Sequence, residues 1–110
     1  MTVDEARAII LSQPDAYEGA HHGHPDFRVG KTLFATLWPD ESRSVLRLPL
    51  AFAESLEADN PVLYRVVSRP KELGWVSVQL EAAEPGEFGS LVEMARSLVV
   101  SKPAAGTEKK

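Results

Sequence analysis

Tyr17-Glu18-Gly19-Ala20-His21-His22-Gly23-His24-Pro25-Asp26-Phe27-Arg28-Val29-Gly30-Lys31-Thr32-Leu33-Phe34-Ala35-Thr36-Leu37-Trp38 is the stretch that decides the fold. Short β-forming pieces, Tyr17 to His21, Phe27 to Val29 and Leu33 to Trp38, are separated by Gly23-His24-Pro25-Asp26 and by Gly30. Aromatic and β-branched residues suit a pleated surface, and glycine or proline between such runs marks a turn. The pattern predicts successive antiparallel strands.

Working outward, Pro39-Asp40-Glu41-Ser42 reads as a turn, followed by a strand over Ser44 to Leu48. Alternation puts Val45 and Arg47 on one face of that strand and Leu46 and Leu48 on the other. Pro49 suits a first helical turn, and Leu50, Phe52, Ala53 and Leu56 then make a short apolar face that ends near Asp59-Asn60-Pro61, so a brief connecting helix is expected. Val62 to Val67 and Trp75 to Leu80 supply the last two strands.

The two ends are helical in pattern. Thr2-Val3-Asp4-Glu5 fits a capping box, Val3, Ala6, Ile9 and Ile10 recur at helical spacing, and Pro14 biases its predecessor away from the helical region. A helix over about 3 to 12 follows. After Pro85-Gly86, Phe88, Leu91, Val92, Ala95, Leu98 and Val99 form one helical stripe. Composition then predicts a disordered tail over 102–110. The expected architecture is a single α+β domain over 1–101, an antiparallel β-sheet with the N- and C-terminal helices packed on one face and the other face open to solvent.

Composition limits the functions. The 110 residues fit one core, and 44% hydrophobic with 25% charged residues is the balance of a globular protein. Without cysteine there is no disulfide, thiolate nucleophile or sulfur-ligated zinc. The N-terminus Met1-Thr2-Val3-Asp4-Glu5 has neither a basic nor an apolar leader region, and no run of apolar residues reaches membrane-spanning length; the expected address is the cytoplasm, with no membrane partner. A net charge of -4 disfavours polyanions overall, but the charge is uneven. Residues 28–71 carry seven bases (Arg28, Lys31, Arg43, Arg47, Arg65, Arg69, Lys71) against five acids, while the segments on either side are acidic. An anion-binding surface belongs to the middle of the chain.

Pro14-Asp15-Ala16-Tyr17-Glu18-Gly19, the run from His22 to Ala35, and Gly74-Trp75-Val76-Ser77-Val78-Gln79-Leu80 together resemble the MmcQ/YjbR family, and the resemblance spans roughly residues 3 to 100. It implies a CyaY-like, or frataxin-like, α+β domain, a shape often labelled DNA-binding by comparison with double-wing domains. The family offers no agreed catalytic motif to transfer. Frataxins hold iron along an acidic ridge, whereas Asp4, Glu5, Asp15, Glu18 and Asp26 here are too scattered for one.

Candidate sites follow from the residues. His21, His22 and His24 are the densest metal-capable group, but two ligands on one strand face need a third donor, such as Asp26 or Glu18, and polar hairpin tips account for them equally well. Gly30-Lys31-Thr32 matches the end of a phosphate-binding loop, yet Pro25 stands where the motif needs its first glycine, so a hairpin is expected. No metal, no cofactor and no catalytic residue is expected. On the last strand Trp75, Ser77 and Gln79 alternate against Val76, Val78 and Leu80, which places Trp75 on the open face. Arg47, together with Arg65 or Tyr64 and Trp38 or Lys31, completes an aromatic and basic surface there. Lys31, Arg47, Arg65, Arg69 and Trp75 are therefore the candidate nucleic-acid contacts of a non-catalytic module. DNA is the leading partner, because bases stack on aromatic rings and arginines meet phosphates. A protein partner is the alternative. The bland reading is a solvated face on which arginine stems pack across Trp75.

Overall fold

The computed structural model describes residues 1–21 and 23–107, with side chains for 1–19 and 23–99. Helix α1 (Val3–Leu11) starts on the expected capping box: the Thr2 hydroxyl accepts from the Glu5 amide at 3.1 Å, and the Glu5 carboxylate accepts from the Thr2 amide at 2.8 Å. Then come β1 (Tyr17–His21), β2 (His24–Val29), β3 (Thr32–Trp38), a 3₁₀ turn at Pro39–Glu41, and β4 (Arg43–Pro49). Helix α2 (Leu50–Asp59) leads to β5 (Tyr64–Ser68) and β6 (Leu73–Gln79), and a second 3₁₀ turn at Leu80–Ala82 leads to α3 (Pro85–Thr107).

The six strands form one sheet in the order β1-β2-β3-β4-β6-β5, and every neighbouring pair is antiparallel. The last two strands are inverted relative to a simple meander: β6 lies between β4 and β5. Burial explains the exchange. Gly74, Val76, Ser77 and Val78 of β6 are buried, as an interior strand requires, while Arg65, Val67 and Ser68 of β5 are exposed and suit an edge.

Helices α1 and α3 cover one face as expected, and α2, expected only as a connection, covers it too. Ala6 and Ile10 of α1, Ala53 of α2, and Phe88, Leu91, Val92, Ala95 and Val99 of α3 share a core with Phe27, Leu37, Leu46, Leu48, Val76 and Val78 of the strands. Truncating one of the buried phenylalanines to alanine would cost about 3–5 kcal/mol. Strict alternation fails at one place. Phe27 pairs with Ala35 but Arg28 pairs with Leu33, so Phe34 is an extra residue on β3 and both Phe34 and Ala35 are fully buried. Helix α3 also continues to Thr107, past the end at 101 that composition suggests; Lys102, Ala104 and Ala105 are good helix formers, and Pro103 removes one helical N–H without ending the helix. The rest of the expected tail, 108–110, lies outside the described residues.

Two positions are open to test. A Cβ at Gly74 would fall 2.7 Å from the Cβ of Ala53, so α2 can rest on β6 only while that position is bare. Gly74→Ala should destabilise the domain by about 1–3 kcal/mol, as overpacking does, which urea denaturation would measure. Tyr64 is 4% exposed. Burial, then the neighbouring Glu87 carboxylate, push its hydroxyl up to about 12. The unfolded tyrosine ionises near its ordinary value of 10.0, so the folded state holds the proton longer. Stability should be unaffected by this group below pH 10 and fall as pH rises from there toward 12; in Tyr64→Phe this part of the alkaline decline should vanish from pH-dependent denaturation curves.

Candidate binding face of the sheet

Pairing fixes which side chains reach the face without helices. Across β3, β4 and β6, Trp38 pairs with Arg43 and Thr36 with Val45, while Arg43 pairs with Gln79, Val45 with Ser77 and Arg47 with Trp75. These residues alternate with the core residues Leu37, Leu46, Leu48, Val76 and Val78, so they point to the opposite side. Arg65 joins them from β5 through its pairing with Ser77. On the β2 side the same parity brings His24, Asp26 and Arg28 to this face.

Trp38 is held firmly. Its indole Nε1 donates to the Thr36 hydroxyl at 3.0 Å, the His24 ring stacks on it at 3.7 Å between centroids with a 23° interplanar angle, and the Arg43 guanidinium lies 4.7 Å from its ring centre. A cation over an indole face is attracted by the ring quadrupole. Arg43 also donates to the Glu41 carboxylate and, at 3.4 Å, to the Ser77 hydroxyl, so it spans from β3 to β6.

The acidic group on this face is neutralised. Asp26 is 1% exposed and paired with Arg28 at 3.2 Å, and its hydrogen bond and charge hold the Arg28 guanidinium above its ordinary range. Gly19 makes room for this carboxylate, since a Cβ there would come within 2.9 Å of Asp26 Oδ1. Asp26 is therefore committed to an arginine, and Glu18 on the helix side bonds to Arg7 at 3.2 Å. Neither is left to serve as the third donor of a histidine metal site. Among the described residues no three His, Asp or Glu side chains gather around one point. His22 and the side chain of His21 lie outside the described residues.

Arg47 and Arg65 differ from the other arginines of the strands. Among the described residues neither has an ion pair, whereas Arg28 and Arg43 each have one. The Nε of Arg47 is buried and has no acceptor. Beside these cations a mainly apolar hollow of about 340 Å³ is lined by Leu33, Val45, Val67, Trp38 and Trp75, with Thr36, Ser68 and Arg43 as its polar members. A second, more polar hollow of about 630 Å³ adjoins it, and Arg43, Arg65, Ser77 and Gln79 line it.

Of the residues singled out in the sequence, Arg47, Arg65 and Trp75 come together on this face, and Lys31 sits exposed in the β2–β3 turn. Tyr64, the alternative to Arg65, is in the core. Arg69 is drawn away: it pairs with Glu54 at 3.3 Å and Glu57 at 3.6 Å, both on α2. Its capture depends on the crossover that places α2 against β5, which strand alternation does not reveal. Arg43 went unrecognised as a site residue. It shares the parity of Val45 and Arg47, and that signal was enough to find it.

Comparison with known proteins adds the relationship. No helix among the described residues is long and apolar enough to cross a membrane. No curated protein matches the chain. A solved structure, protein DR2400 of Deinococcus radiodurans with its DUF419 domain, is similar with a TM-score of 0.80 at 22% identity, covering 93% of this chain and 80% of that one, which shows the same fold. The family model for YjbR matches residues 11–98, a span that contains all six strands and most of α3. The α+β domain with its open, arginine-bearing sheet face belongs to the YjbR family.

Proposed function

We propose that this domain is a non-catalytic binding module that holds DNA on the open face of its sheet. The observation that carries the reading is the segregation of charge across the sheet. Among the described residues Arg47 and Arg65 have no ion pair on the open side near Trp38 and Trp75, while Asp4, Glu5, Glu54, Glu57, Asp59, Glu87 and Glu93 ride on the helices behind it. The net charge of -4 thus describes mainly the back of the molecule. Guanidinium groups keep their protons over the whole accessible pH range, so they suit phosphate recognition rather than proton transfer. A protein partner is the second reading, favoured by the exposure of Val62 (78%) and Val67 (51%) next to the hollows.

A fluorescein-labelled duplex carrying a single-stranded thymidine tail presents both forms of DNA at once. Its anisotropy should show saturable binding at low salt that weakens toward about 200 mM, with a log–log slope between about −1 and −2 for two phosphate contacts. Arg47→Ala and Arg65→Ala should each reduce the slope by about 0.7–0.9. No binding at low salt would overturn the DNA reading and turn the search to protein partners.

A further inference from the structure

Resting on that reading, we propose that the strand held is single: one base of single-stranded DNA enters the apolar hollow between Trp38 and Trp75, and Arg47 and Arg65 take the flanking phosphates. The width of the sheet argues first. Strands lie about 4.8 Å apart, so six of them span about 24 Å, twice the ~12 Å major groove that admits a helix or a two-stranded ribbon. Trp38 on β3 and Trp75 on β6 are both on interior strands. A duplex lying on this face would offer them phosphates and no base, whereas a single strand can splay its bases onto the rings.

The hollow fits a small planar group. Its volume of about 340 Å³ is at the lower end of ligand pockets, and its walls of Leu33, Val45 and Val67 meet the two indoles. Those apolar walls suit a thymine methyl, which uracil lacks, and this favours oligothymidine over oligouridine. Arg47 provides an independent pointer. Its buried Nε lacks an acceptor in a strand position directly across from Trp75, and a buried donor without a partner calls for one. Because that Nε is enclosed, the guanidinium has to turn toward the open face to give it a phosphate or base oxygen of the incoming strand.

The chain holds two tryptophans and both line the hollow, so intrinsic fluorescence reads the site directly. With the whole protein bound to the labelled tailed duplex, unlabelled oligothymidine, blunt duplex and oligouridine serve as competitors. Oligothymidine should displace the probe and quench tryptophan emission at about ten-fold or more lower concentration than the blunt duplex, since each stacked base is worth about 5- to 160-fold in affinity. Trp75→Ala should weaken oligothymidine by a factor in that range; Trp75→Phe, which keeps a ring, should retain most of the affinity. Arg47→Gln, with unchanged circular dichroism, should lose one phosphate contact, or about 0.7 of the single-strand salt slope. Blunt duplex competing as well as oligothymidine would overturn the single-strand proposal and leave DNA binding standing. Oligouridine competing better would overturn the choice of DNA, and displacement without quenching would overturn the hollow as the site. A tailed duplex that never binds removes both readings together.

Discussion

Seven paired positions between β4 and β6, from Arg43 opposite Gln79 to Pro49 opposite Leu73, hold the middle of this sheet and fix what each face receives. A slip of one residue in that register would exchange Leu46, Leu48, Val76 and Val78 for Val45, Arg47, Trp75 and Ser77. Arginine and half-buried tryptophan would then enter the core, and aliphatic side chains would face water. The cost of burying an unpaired guanidinium is several kcal/mol, so the register is specified strongly. The same constraint that stabilises the core therefore presents the cationic and aromatic groups on the opposite side.

Helix placement completes the asymmetry. Gly74 lets α2 approach β6 until Ala53 is in contact, and α1 and α3 cover the rest of that face. Because α2 lies there, its Glu54 and Glu57 reach Arg69 at the end of β5 and remove that arginine from the open surface. Among the described residues, Arg47 and Arg65, with strand neighbours such as Ser77 and Trp75, meet no acid. Whether an arginine is neutralised is thus decided by the acid within its reach: Asp26 for Arg28, Glu41 for Arg43, and the α2 carboxylates for Arg69.

Period-two and period-3.6 patterns are local properties, and what they encode was readable: the capping box at Thr2, the strand at Ser44 to Leu48 with Arg47 opposed to Leu46, the outward Trp75, and the stripe of α3. The YjbR resemblance was legible in the combination of the His22 to Ala35 run with the Gly74-Trp75 strand. What was not legible depends on tertiary placement. The inversion of β5 and β6 follows from competition for the interior position. The extra residue Phe34 shows only once β3 is paired with β2. The fate of Asp26 needs Gly19 beside it and Arg28 two residues on, and that of Arg69 needs the crossover helix. The hollow between the tryptophans is assembled from β3, β4, β5 and β6, so no single segment carries its signature.

On the proposed reading, an acidic chain takes a polyanion at short range. At physiological ionic strength the screening length is about 8 Å, and the shortest dimension of this molecule is 27 Å, about three such lengths. Helix carboxylates that lie more than a screening length from the open face are therefore largely hidden from a strand there, and the others, such as Glu54 and Glu57, are partly neutralised by Arg69. Two unpaired arginines give a modest electrostatic term, far below that of a basic protein with many phosphate contacts. On that reading, affinity on this face has to come from contact: from stacking against Trp38 and Trp75, and from the hydrogen bonds of Arg47. Stacking requires an exposed, flat base, which a closed duplex keeps to itself.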